Sequence, residues 1–170
     1  MFGRRNWACV RGNDENDCGP AALATLARQH GRKVSLERLR EVCGTDRAGT
    51  SLLGLRTAAE RLGFAARCVQ ASPESLEALP LPALAHVKRA DGRGHYVTLH
   101  QVTKRGVIYA DPAEGIMRKP RAGFEAEWTG VTMLAAPLDD VEVTADDGAA
   151  PPTALKRLFR LLAPHGALLG

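Results

Sequence analysis

Aromatic residues are scarce in this 170-residue chain, which has two tryptophans, two tyrosines and four phenylalanines. A core must therefore be built largely from Ala, Leu and Val, and the 45% hydrophobic content is enough for one domain of ordinary globular composition. The sequence has no run of about 18 apolar residues, so no segment in it is expected to cross a membrane by itself. The opening stretch MFGRRNWACVRGNDENDCG carries arginines with no apolar run behind them, which argues against a secretory signal. Charge of one sign does not gather either. The net charge of +4 comes from scattered arginines without interleaved aromatics, a pattern of a solvated surface that argues against a nucleic-acid partner. The four cysteines, Cys9, Cys18, Cys43 and Cys68, form no CxxC pair and no Cys/His cluster, which argues against zinc. Without an export signal a disulfide framework is not expected. The setting expected is reduced and cytoplasmic, where a cysteine matters only if its surroundings make it reactive.

Helical patterns dominate the first part of the chain. Gly19 to His30 reads as a helix, with Pro20 in its first turn and Gly31 at its exit. Ser35 caps a second, in which Leu36, Leu39 and Val42 recur at helical spacing before Gly44. Ser51 starts a third that stops at Gly63, and its stretch from Leu52 to Leu62 reads as core-facing. A strand FAARCVQ and a short helix SPESLEAL follow. After Pro80 the pattern turns to strands: PALAHV, HYVTLHQV and GVIYADP, separated by the turn signals DGRG and KRG. PRAGFEAEW reads as a short helix and GVTMLAAP as a last strand. Helices first and a meandering sheet second predict an α+β fold, with N-terminal helices packed against an antiparallel sheet. The domain is assigned to 1–137. The acidic, then Ala/Pro-rich 138–153 reads as a linker, and 154–170 as a basic amphipathic tail.

Within DCGPAAL, Cys18 stands at a helix start, where unpaired backbone N–H groups and the positive end of the helix dipole favour thiolate over thiol. Cys9, Cys43 and Cys68 instead fit small buried hydrophobes, Cys43 at a helix end and Cys68 in an apolar strand. A cysteine nucleophile needs a base. His30 lies about three turns up the same helix, His165 sits in the tail, and His86, in an apolar strand, reads as a packed or surface histidine. His95 and His100 share a strand but, at odd spacing, point to opposite faces. His95 follows GRG at the strand start, near the sheet edge. If GVIYADP pairs with HYVTLHQV through the KRG turn, the start of one strand lies beside the end of the other, bringing Asp111 close to His95. An Asp before Pro, as at Asp111, is also a common turn-former, but the hairpin geometry favours the functional reading.

The chain resembles the double-glycine leader peptidase domain at the N-terminus of bacteriocin-processing, peptidase-containing ABC transporters. The resemblance is carried, in the family's order, by DCGPAAL (17–23), GTSLLGLRTAAERLGF (49–64), AHV (85–87), GHYVTL (94–99), ADP (110–112) and FEAEWTGVTMLAAP (124–137). It implies a papain-like fold, with Cys18 as nucleophile, His95 as general base and acid, and Asp111 orienting the imidazole. It implies a cysteine endopeptidase cleaving after a Gly-Gly or Gly-Ala pair that ends a leader peptide. The implied partners are that leader and the transporter's transmembrane and nucleotide-binding domains, on the cytoplasmic side of the bacterial membrane. No cofactor is implied in this domain, ATP belonging to the transporter part. The tail 154–170 resembles the family's approach to its first transmembrane helix, which would make this a piece of a longer chain. The pattern departs at Gly12, where the family carries a Gln whose amide helps form the oxyanion hole. Losing such a donor typically costs about 10²–10³ in turnover. Asn13 carries an amide one residue on. Two readings thus stand side by side: an active leader peptidase, and a docking domain that binds leaders but cleaves weakly.

Overall fold

Polar caps fix the helix boundaries in the computed structural model, which describes residues 5–138 and a short strand at 166–168. Helix α1 is Cys18–Gln29, α2 Leu36–Cys43 and α3 Leu52–Arg61. Ser35 accepts the N–H of Arg38 at 3.2 Å and Ser51 accepts that of Gly54 at 3.0 Å, capping α2 and α3 as their sequences predict. Gly44 ends α2 in the left-handed region at φ 64°, where a Cβ is disfavoured.

Strands β1 (Phe64–Ala71), β2 (Ala83–Lys88), β3 (Gly94–Val102) and β4 (Gly106–Asp111) match the β-type runs in the sequence. Strand β5 (Gly115–Pro120) was not expected; GIMRKP has no clean alternation and its burial is only partial, as befits an edge strand. Helix α4 is Arg121–Glu127 and β6 is Trp128–Pro137. Segment β7, Gly166–Leu168, pairs with β1, so this piece of the tail is extended rather than helical. The rest of the tail and the linker beyond Leu138 lie outside the described residues. The sheet order is β5-β4-β3-β2-β6-β1-β7, with every neighbouring pair antiparallel.

The sheet buries both faces. On one, Leu23, Leu26, Leu39 and Leu55 from the three helices meet Phe64, Leu84 and Met133. On the other, Val87, Val97, Leu99 and Tyr109 pack with Phe124 of α4 and with Trp128. Helix α1 lies against the sheet through small residues: Ala21, Ala22, Ala24 and Ala27 are all buried. Their size lets the helix backbone approach β3 closely enough for the Thr98 hydroxyl to donate to the carbonyl of Ala22 at 2.8 Å. Gly19 is needed for a similar reason, because a Cβ there would lie 2.9 Å from Cβ of Thr50.

The N-terminal arm is fixed along α1. Ala8 N–H donates to Gln29 and Val10 N–H to Thr25, each at 2.9 Å. The His100 imidazole donates to the carbonyl of Ala8 at 2.7 Å and stacks on Trp7. Gly12 N–H reaches Pro112 at 3.0 Å. The arm so delivers residues 12–17 to the N-terminus of α1.

Candidate active site

Cys18 opens α1, and the helix has no side-chain cap because the carboxylate of Asp17 is turned away from it. Asp17 is fully buried and accepts the N–H groups of Asn13 and Asp14 on Oδ2, at 2.9 and 3.2 Å. Its Oδ1 faces Nε of Arg40, on α2, at 3.1 Å. The loop 12–17 is therefore wrapped around one carboxylate, while the N–H groups at the start of α1 are left to face the thiol.

His95 and Asp111 meet as the hairpin argument expects. Nε2 of His95 donates to Oδ1 of Asp111 at 2.7 Å, and the two residues are 7% and 8% exposed. Asp111 also forms the turn that its sequence suggests, since the same Oδ1 accepts Ala113 N–H at 2.8 Å. With Nε2 taken, Nδ1 is left for the hydrogen bond between His95 and the Cys18 thiol. One expectation is corrected: β3 lies inside the sheet, between β4 and β2, so His95 sits at the end of an inner strand and not at the sheet edge. Its access comes from the strand end opening into a cleft of about 750 Å³ shared with Cys18.

The electrostatics follow from these contacts. Burial alone would raise the Cys18 thiol, but the hydrogen bond from His95 and the N–H groups of Tyr96 and Gly19 outweigh it and hold the thiol below its ordinary value. Burial opposes charge on His95 too, yet Asp111 and Cys18 prevail and raise it. Burial would raise Asp111, whereas His95, the Ala113 N–H and Arg89 bring it below the usual carboxylate range. The set therefore favours a thiolate–imidazolium pair. The other cysteines go the opposite way: burial pushes Cys43 up to about 12 and Cys68 to about 11, and raises Cys9.

His86, read as a packed or surface histidine, packs edge-on against Tyr96 and also lines the cleft. Its Nδ1 lies 3.0 Å from the Thr129 hydroxyl, and its Nε2 would be 2.5 Å from a Cβ at Gly94, so only glycine fits beside it. Gly12 and Asn13 also line the cleft, placing the departure from the family pattern beside the thiol. Among the described residues, no three of His, Cys, Asp or Glu gather into a metal-binding group.

Residues 6–140 match the model of the peptidase C39 family. The chain belongs to the peptidase C39 family. This C39 domain is 39% identical over 126 residues to the lactococcin-G-processing and transport ATP-binding protein LagD of Lactococcus lactis subsp. lactis, covering 73% of the chain but 18% of that relative. It thus spans about a fifth of the length of such curated relatives. Among solved structures, the peptidase domain of Streptococcus ComA, a bifunctional ABC transporter of a quorum-sensing pathway, superposes with a TM-score of 0.73 at 33% identity, covering 77% of this chain and 98% of that one. A double-glycine-motif protease from an AMS/PCAT transporter, in complex with its leader peptide, superposes at 0.71 with 27% identity, covering 76% and 90%. The papain-like α+β fold is thereby shown for this C39 domain.

The sequence nominates Cys18, His95 and Asp111 as candidates, and the structure brings the three together. Sequence reasoning missed Asp17 as the anchor of the loop, although DCG names it, and it missed Arg89. That arginine lies in the charged turn KRADGRG, where nothing local separates it from a solvated residue.

Proposed function

We propose that this C39 domain is a cysteine endopeptidase that removes the leader of a secreted precursor peptide after Gly-Gly or Gly-Ala, coupled to export by an ABC transporter. The observation that carries the reading is the meeting in one cleft of Cys18, at the uncapped start of α1, and the buried His95, which is hydrogen-bonded to Asp111. The Cys18 thiolate attacks the carbonyl carbon of the leader's last residue, and His95 gives its proton to the departing amine. Water, deprotonated by His95, then attacks the thioester, and Cys18 leaves as thiolate. Asp111 keeps Nδ1 aimed at the sulfur throughout. The uncapped start of α1 supplies N–H groups beside the developing oxyanion.

Incubating the chain with a synthetic double-glycine leader peptide tests this reading. Cleavage after the double glycine by wild type, and none by Cys18→Ala, is expected. Binding by both with cleavage by neither overturns the peptidase and leaves the docking domain.

Gly12 is the observation that favours docking. In our reading, Asn13, whose side chain is shorter, replaces the amide of the family's Gln only in part. Restoring the Gln is not free of cost, because a Cβ at Gly12 lies 3.0 Å from Cβ of Asp17 and 3.4 Å from the carbonyl oxygen of Asp14. Gly12→Gln is expected to raise turnover by about tenfold, less than the 10²–10³ of a well-placed donor. It should also lower stability by about 1 kcal/mol through crowding, read by thermal melting. Robust wild-type cleavage with no gain in the variant would mean that the hole is already complete.

A further inference from the structure

Arg89 stands in the turn between β2 and β3, its backbone held by Arg89 N–H to Arg93 carbonyl at 2.9 Å and Gly92 N–H to Arg89 carbonyl at 2.8 Å. Its Nη2 lies 2.8 Å from Nε2 of His95 and 3.3 and 3.5 Å from Oδ1 and Oδ2 of Asp111. These contacts cannot all be hydrogen bonds. A ring nitrogen offers one in-plane position, and Oδ1 at 2.7 Å takes the proton of Nε2. A guanidinium has no acceptor and keeps its charge at any working pH. The 2.8 Å approach is therefore two donors converging on one carboxylate. Arg89 is a permanent cation pressed against the ring that must carry positive charge during the reaction.

The other groups around the ring do not cancel this effect. From α1 it faces Cys18, from β4 Asp111, and from β2 His86. A second cavity, of about 380 Å³, opens on its far side and is lined also by Asp91 and Glu114. Lys119 and Glu127 line it too, but they pair with each other at 2.6 Å, and Asp91 is taken by Arg93 at 2.7 Å. Asp111 is the carboxylate that touches His95, and Arg89 shares it.

We propose that Arg89 is a positioning residue for the peptidase reaction. It fixes the Asp111 carboxylate with Oδ1 towards Nε2, and it limits how strongly His95 holds its second proton. The proposal rests on the peptidase reading of Cys18, His95 and Asp111. A carboxylate alone would make the imidazolium a weak acid, reluctant to protonate the leaving amine; a neighbouring cation returns it towards the working pH, where proton transfer is most effective.

The test is a ¹H–¹³C NMR titration of the His95 imidazole in wild type, Arg89→Gln and Arg89→Lys, with the pH profile of leader cleavage measured alongside. Glutamine keeps a donor for Asp111 and removes the charge, whereas lysine keeps the charge. The His95 midpoint is expected to rise by about one pH unit in Arg89→Gln and to stay put in Arg89→Lys. The alkaline limb of kcat/KM should move with it. Coincident midpoints in wild type and Arg89→Gln overturn the proposal. The titration needs no turnover, so its outcome is separate from the peptidase reading. A raised midpoint in a chain that cleaves nothing refutes the peptidase and keeps the electrostatic role of Arg89, while an unmoved midpoint in a chain that cleaves refutes Arg89 alone.

Discussion

Replacing His95 with alanine is expected to lower leader cleavage by about 10⁴-fold, the upper end of what one acid–base residue contributes. The size follows from the two tasks that fall on one ring. His95 hydrogen-bonds the Cys18 thiol and holds it below its ordinary value, so its removal leaves burial as the main influence and the thiol rises. In the proposed reaction it also protonates the departing amine. The first effect can be read separately, as the rate at which iodoacetamide alkylates Cys18, followed by mass spectrometry of the Cys18 peptide. Wild type should label at Cys18 near pH 7 in preference to Cys43 and Cys68, whose thiols burial pushes up to about 12 and about 11. His95→Ala should lose that preference. Cleavage that survives with unchanged alkylation would mean that another base serves the thiol.

Asp17→Ala carries the second large effect, and it acts on stability and turnover together. The side chain is fully buried, and its Oδ2 holds the N–H groups of both Asn13 and Asp14. Alanine leaves two loop donors without their acceptor and Arg40 with Asp14 alone, at 3.5 Å. Each such loss costs about 1–3 kcal/mol where water cannot substitute. The loop is partly accessible, so about 3 kcal/mol in total is expected from denaturant unfolding. Cleavage should fall by about 10²-fold even where the variant is fully folded, because the loop carries Asn13 into the cleft and ends on Cys18. An Asp17→Ala chain as active and as stable as wild type would show that the arm and α1 hold this loop without the carboxylate.

Local chemistry made much of this legible from sequence. Ser35, Ser51 and Gly44 mark helix ends through hydrogen bonds and backbone angles that depend on the residue itself, and the structure uses them so. Cys18 was legible because a helix start is a local feature, and Asp111 because a short turn brings strand ends together. The remainder depends on tertiary contact. Strand β5 takes its form from pairing with β4 more than from its own pattern. Arg89 meets Asp111 only when the turn folds back on it. His86 looked like an ordinary strand residue until β6 supplied Thr129 beside it. The resemblance gave the order of the motifs, and the fold turned that order into distances.

The hairpin of β3 and β4 carries a bulge. Val102 pairs with Val107 and Gln101 with Ile108, but Leu99 pairs with Tyr109 and Thr98 with Ala110, leaving His100 as the extra residue. Continued one step, this register sets Asp111 opposite Val97, on the side of the sheet that His95 also occupies. Were His100 instead paired with Tyr109 in a regular ladder, the Gln101–Ile108 register would carry Asp111 opposite Thr98, whose hydroxyl reaches α1 on the other side. The acid and the base would then stand back to back, separated by the thickness of the sheet. The geometry of the proposed site thus depends on one local irregularity as well as on identities: the same chain paired as a regular ladder could keep all three side chains and still not bring His95 to Asp111.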